Sequence, residues 1–280
     1  MATFVNRRPI STSRRTSAWS GMVRGIYTLW LKHMHKFLHS TMEIGGTLST
    51  PVLWMLLFGV CMEGMAREVK STDMSLGYIS YITPGIMMLT GLTAAVLGGS
   101  TLLIERINGV IKEYLVAPIP RLAVLLGTLA SGLTKAIIQS IIVLLVGWVF
   151  GAALKLQLLS ILAGLGLAAV FSLGFVGIAA AFACKAKNME SYHTLIMVMN
   201  LPVLFLSNAL YPLELMPPII RLLSYLNPTT YAIDATRYLF FGTKTEIGMW
   251  LDVPILLGFM VFGVWYGYRN FQEALKNLAG

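Results

Sequence analysis

The passage LYPLELMPPIIRLLSYLNP, residues 210–228, holds four prolines, an acid and an arginine, yet it follows an apolar run long enough to cross a bilayer. Proline lacks a backbone donor and its ring clashes with the preceding turn, so no single helix continues through Pro212, Pro217, Pro218 and Pro228. The passage is therefore a break at the edge of an apolar layer, and the sequence on either side of it defines that layer. Of the 280 residues, 56% are hydrophobic and only 12% charged, with a mean hydropathy of +0.74. A soluble domain carries about a quarter charged residues, and half that share cannot cover a water-facing surface. The apolar residues come in blocks of about twenty, the length of a bilayer span, rather than at amphipathic spacing. Composition and block length together predict an all-α polytopic membrane protein.

Six transmembrane helices are expected, at 43–62, 78–103, 122–150, 156–183, 194–213 and 252–268. An even number puts both termini on one side, and Lys and Arg gather on the cytoplasmic side of membranes. With the termini inside, fourteen of the 21 Lys and Arg fall in the N-terminal region, the loops after spans two and four, and the C-terminal tail (269–280). Six fall outside (Arg67, Lys70, Lys155, Arg221, Arg237 and Lys244), and Lys135 sits within span three. This asymmetry predicts cytoplasmic termini, and it accounts for the net charge of +9 without nucleic acid. Tyr78, Tyr81, Trp148, Trp265 and Tyr268 mark span ends, where amphipathic rings favour the interface. Cys61 and Cys184 fall on opposite sides of this topology, so neither a disulfide nor a metal pair is expected. No cleavable signal peptide is expected either.

Three segments outside the spans carry more pattern than loops need. Residues 1–17 read as a disordered basic tail. Residues 18–40 then repeat Trp19, Val23, Ile26, Tyr27, Trp30, Met34 and Phe37 at helical spacing, with Arg24, Lys32, His35 and Lys36 opposite. That is an amphipathic helix lying in the membrane interface, with His33, His35 and His39 as solvated positions. The run ERINGVIKEYLVAPIPR (105–121) places Ile107, Val110, Ile111, Tyr114 and Leu115 at i, i+3, i+4, i+7 and i+8. The resulting short helix, 105–117, ends at Pro118 and carries an apolar stripe beside Glu105 and Arg106. Such a stripe needs cover, from lipid headgroups or from a groove on another protein. The outer stretch 213–241 reads as a re-entrant helical hairpin. Pro217–Pro218 opens one piece. Thr229 or Thr230 caps the next, which pairs Asp234 with Arg237 at i, i+3.

Single residues stand out less sharply. An intramembrane charge usually faces a cavity or a partner, which makes Lys135 a pathway candidate together with Tyr211, Glu214, Asp234 and Arg237. Glu43 is expected at the interface, and Glu214 is expected to pair with Arg221. Gly45–Gly46, Gly98–Gly99, Gly164 and Gly166 are expected to permit close helix packing.

The run ERINGVIKEYLVAPIPR, followed some eighty residues later by FLSNALYPLELMPPIIRLLSYLNPTTYAIDATRYLFFG, resembles the permease subunits of type-2 ABC exporters. The likeness is greatest to the daunorubicin-resistance-like and Nod-factor-exporter branch. It covers roughly residues 20–270. It implies a six-helix subunit in the inner membrane of a prokaryote, pairing with a second copy or a paralogous permease and with two separate ATPase subunits. It also implies that 18–40 is an interfacial elbow, that 105–117 is the coupling helix docking on the ATPase, and that 213–241 caps the pathway. No G-x-x-x-x-G-K-[ST] occurs in the sequence, so ATP and Mg are expected on the partner and no cofactor on this chain. The expected cargo is a small amphiphilic compound, drug or lipid. A lipid-linked glycan is the alternative within the class, and an ATP-independent secondary transporter the alternative outside it.

Overall fold

Backbone polar groups in hydrocarbon have no water to bond, so a spanning segment satisfies them within its own helix. The computed structural model describes residues 18–66, 76–116, 120–155 and 157–279, and no strand occurs among them. Helix α1 spans Ala18–His39, and Ser40 alone separates it from α2, Thr41–Trp54. The Ser40 hydroxyl accepts from the Glu43 amide, which caps α2. A π-helical turn, Met55–Val60, joins α2 to α3, Cys61–Ala66. Then come α4 (Tyr78–Ile107), α5 (Val110–Val116), α6 (Arg121–Val149), α7 (Leu158–Lys185) and α8 (Met189–Phe205). A 3-10 turn at Leu213–Leu215 precedes α9 (Pro218–Ser224), α10 (Pro228–Phe241) and α11 (Met249–Ala279). By length and composition, Tyr78–Ile107, Arg121–Val149, Leu158–Lys185 and Met249–Lys276 can each cross a membrane. The expected tail 1–17 lies outside the described residues, as do Pro118 and the side chain of Leu115. The residues expected as a C-terminal tail, 269–280, continue α11 as a helix to Ala279, with Phe271 and Leu275 buried.

Helix α4 is the centre of the bundle, packed by α6, α7 and α10. Its interior proline, Pro84, precedes Gly85, and a Cβ on Gly85 would stand 2.7 Å from the Ala209 carbonyl oxygen. The chain leaving α8 therefore presses directly on the α4 backbone. Helices α7 and α11 approach closest of all. A Cβ on Gly177 would lie 2.3 Å from the Gly263 oxygen, and one on Gly263 would lie 2.1 Å from the Gly174 oxygen. Of the glycines expected to serve packing, Gly99 and Gly164 do so, against Tyr192 and Phe240. For Gly45, Gly46 and Gly166, nothing among the described residues lies within 4 Å of where their Cβ atoms would be.

The Asn227–Pro228 break corrects the expected cap. Asn227, not a threonine, caps α10, its side-chain oxygen accepting from the Thr229 amide at 3.0 Å. Pro228 is tolerated in the first turn, so the helix starts two or three residues earlier than the threonines imply. The Asn227 amide nitrogen also donates to the Val203 and Leu206 carbonyls at 2.9 and 2.7 Å, tying α10 to the end of α8. Helix α10 is largely buried and packs against α4, α7 and α11, whereas α9 leaves Ile219 and Leu222 exposed, as is Leu226 in the turn after it.

Candidate functional site

Two polar clusters tie the elements together, one where α4 ends and one where α4 begins. At the end of α4, Glu105 is 6% exposed although its neighbour Ile107 is 50% exposed. Its Oε1 accepts from Lys32 Nζ at 2.7 Å and from Tyr114 Oη at 3.1 Å, and lies 3.2 Å from His33 Nε2. Lys32 also donates to Tyr114 Oη at 2.5 Å. Partial burial works against the Lys32 charge, but its bonds to Glu105 and Tyr114 more than offset this and raise its pKa above the ordinary lysine value. His33 Nδ1 lies 3.3 Å from Ser131 Oγ on α6. One carboxylate thus joins α1, α4 and α5, and reaches α6 through His33.

His33 is not a solvated position, since it is 4% exposed. Helix α1 has a protein-facing stripe, Leu29, His33, Met34 and Phe37, laid along α6. Trp30 adds an indole hydrogen bond to Thr134 at 3.0 Å. The expected stripe on 105–117 is also divided. Asn108 and Gly109 end α4, with Gly109 at φ +77°, so Ile107 belongs to α4 and points outward. Ile111, on α5, is 3% exposed and joins the core, with Val110 and Tyr114 partly buried. Arg106 faces away from Glu105. Its guanidinium donates to the Ala183 carbonyl at 2.9 Å, to Ala186 at 2.5 Å and to Cys184, closing the C-terminal end of α7.

Lys135 is buried in α6, and its ammonium meets Glu43 Oε1 at 2.8 Å and lies 4.7 Å from the Phe37 ring centre. Glu43 is thus the counter-ion of the intramembrane lysine rather than a free interfacial acid.

At the start of α4, Tyr78 and Tyr81 are buried rather than spread along an exposed interface. Their hydroxyls donate to the Leu210 and Asn208 carbonyls at 3.0 and 2.9 Å. Arg237 is 1% exposed, donates to the Asn208 carbonyl at 2.8 Å and stacks 3.8 Å from the Tyr81 ring centre. Its Nη1 lies 3.5 Å from Glu246 Oε1. Asp234 does not pair with Arg237. Its two carboxylate oxygens accept from the Glu246 and Ile247 amides at 2.9 and 3.0 Å. The i, i+3 spacing allows the pair, but the chain between α10 and α11 offers amide donors that satisfy both oxygens, and Arg237 turns toward α4. Arg221 bonds the backbone oxygens of Leu213 and Glu214 at 2.7 and 2.6 Å, so Glu214 pairs through its carbonyl and leaves its side chain exposed. The Tyr211 hydroxyl donates to the Phe205 carbonyl at 3.1 Å. Sequence reasoning took Lys32 and His33 for solvated positions of 18–40, gave Asn208 and Asn227 no bonding role, and passed over Glu246 and Asp252. Asp252, fully buried in the first turn of α11, is the one whose signal was plain: an acid opening an apolar block. Among the described residues no group of three or more His, Cys, Asp and Glu could hold a metal ion, and Cys61 and Cys184 are free.

A family model described as ABC-2 type transporter matches residues 24–241. The chain belongs to the ABC-2 type transporter family. It is 27% identical to the inner membrane transport permease YadH of Escherichia coli K12 over 248 residues, 85% of this chain and 88% of YadH. It is 29% identical to the transport permease ycf38 of Pyropia yezoensis over 191 residues, 68% of this chain but 65% of that relative, under two thirds of its length. A 24% identity over 251 residues links it to the daunorubicin resistance ABC transporter permease protein DrrB1 of Streptomyces coeruleorubidus, covering 90% of this chain and 85% of DrrB1. The matched region of the permease takes in the whole Glu105 cluster and ends with α10 at Phe241, so Glu246 and Asp252 lie beyond it.

Proposed function

We propose that this permease is the transmembrane subunit of an ATP-driven exporter. It has six spans, both termini in the cytoplasm, and works as a homodimer or pseudo-dimer with two separate ABC ATPase subunits. Helix α1 serves as the interfacial elbow, and α5 with the end of α4 as the contact for the ATPase. Residues 213–241 form the outer hairpin. The cargo is a small amphiphilic compound, drug or lipid, a reading supported by the resistance named for DrrB1.

The observation that carries this reading is the Glu105 carboxylate, which bonds Lys32 of α1 and Tyr114 of α5 from the last turn of α4. A seven-residue helix has too few internal bonds to hold its own position. Bound in this way, α5 passes any displacement imposed on it to α1 and α4 together. Arg237 and the Tyr81 ring supply the outer counterpart, fixing α10 to the start of the same α4. A force applied at one end of α4 therefore has a rigid path to the other.

The test is co-purification with the ABC ATPase encoded nearest the permease, and ATP-dependent export from proteoliposomes holding both. Tyr114→Ala should reduce both while the permease still folds. Cargo movement by the permease alone, without ATPase, would refute the reading. So would labelling of residues 105–121 from outside intact cells.

A further inference from the structure

Helices α2, α4, α6 and α8 enclose a cavity of about 220 Å³. Trp54, Ile86, Leu89 and Leu204 give it an apolar wall, and Gln139 and Asn200 bring two amides to it. Gln139 is 2% exposed, and among the described residues neither its side-chain oxygen nor its nitrogen has a hydrogen-bond partner. Buried polar atoms are nearly always partnered, so an amide in a cavity wall with both ends unsatisfied marks a place for something else. The neighbouring hydroxyls do not compete. Thr50, Thr90 and Thr93 donate to backbone oxygens of their own helices at 3.1, 2.8 and 3.0 Å.

The chemistry of the occupant follows from the wall. Among the described residues no Asp, Glu, Lys, Arg or His lines the cavity. The nearest charge along α6, Lys135 one turn away, is already neutralised by Glu43 at 2.8 Å. A charged ligand would find no counter-ion, whereas a neutral group that both donates and accepts would satisfy the two ends of Gln139 at once. The volume lies below the roughly 300 Å³ at which whole drug-sized molecules begin to fit, so the cavity takes a polar end and one ring or short chain segment. We propose that this cavity, within a single copy of the permease, binds an uncharged amphiphile through an amide-like or hydroxy-carbonyl group held by Gln139. The proposal rests on the exporter reading only for the step from ligand to cargo.

The test uses the purified permease in nanodiscs, without nucleotide or ATPase. The probes are dodecanamide carrying a diazirine on its chain, the matching dodecanoate, and the matching alkane, with crosslinks mapped by mass spectrometry. The amide should label residues 50–54 and 200–204 saturably, at least fivefold above the other two probes. Gln139→Leu should cut that labelling about tenfold without lowering the thermal midpoint, since it removes an unpartnered group. Leu204→Trp, which fills the cavity and keeps Gln139, should abolish it. Equal labelling in Gln139→Leu and wild type, or unsaturable labelling spread over the lipid-facing helices, overturns the site. Saturable binding in a permease that moves cargo without ATPase would keep the site and remove the exporter reading. ATP-driven export of dodecanamide untouched by Gln139→Leu would do the reverse.

Discussion

Replacing Gly263 by alanine should loosen the bundle, while the same change at Gly258, five residues earlier on α11, should not. A Cβ at position 263 would stand 2.1 Å from the Gly174 oxygen and 2.9 Å from its Cα. An ordinary carbon–oxygen contact needs about 3.3 Å or more, so the shortfall is about 1.2 Å. The obstructing atoms are backbone, which cannot swing aside, so α7 and α11 have to part by about 1 Å. A gap of that size forfeits a quarter to a half of each dispersion contact, and forced overpacking typically costs about 1–3 kcal/mol. Together these give a loss of about 2–4 kcal/mol. At Gly258 nothing lies within 4 Å of the added methyl, and alanine is the better helix former by up to about 1 kcal/mol. In detergent, tryptophan-fluorescence melting should place Gly263→Ala about 5 °C or more below wild type and Gly258→Ala at or above it. Melting of the two variants within a degree of each other would refute the close α7–α11 crossing.

Other perturbations address the polar clusters. Glu105→Leu strips the acceptor from buried His33 and from Tyr114, and should cost about 2–3 kcal/mol in thermal or SDS unfolding. The half-exposed Lys32 adds little to that figure, and Glu105→Gln, which keeps an acceptor, should lose about half as much. Arg237→Met removes the bond to the Asn208 carbonyl, the stacking on Tyr81 and the cation 3.5 Å from Glu246, and should cost about 3–5 kcal/mol. Combined with Glu246→Leu it should cost clearly less than the sum, and strict additivity in the double-mutant cycle would rule out a coupled pair. Asn227→Ala removes the α10 cap and two bonds to the end of α8, about 2–3 kcal/mol in all. It should speed limited proteolysis within residues 206–217, and unchanged cleavage would count against that tie.

The long helices α4, α6, α7 and α11 were legible because twenty consecutive apolar residues leave the backbone few options, whereas α8 ends at Phe205, short of the span expected at 194–213. What one helix does to its neighbour was not legible. The pattern of α1 shows an apolar and a charged face, but a third side meets α6, and that is where His33 lies. The break at Asn108–Gly109 was signalled by glycine in the position that ends helices, yet the i, i+3, i+4 repeat of apolar residues ran straight across it. Asp234 and Arg237 had the spacing of a pair, and only the folded chain shows that backbone groups at 246–247 and 208 take them instead. The glycines divide on the same ground. Gly45–Gly46 is conspicuous, but among the described residues nothing crowds its missing side chains, whereas Gly174, Gly177, Gly263 and Gly267 gain meaning only once α7 and α11 are side by side.

Glu105 and Arg106 are neighbours in sequence, and successive helical residues point about 100° apart. Glu105 reaches α1 and α5, while Arg106 grips the carbonyls where α7 ends and the chain turns into α8. A twist of that last turn of α4 cannot relax one grip without straining the other, so the two halves of the subunit share a common clutch plate. Lengthening α4 by one residue just before Glu105 would rotate both side chains out of their sockets. The helices would remain, and both grips would be lost at once.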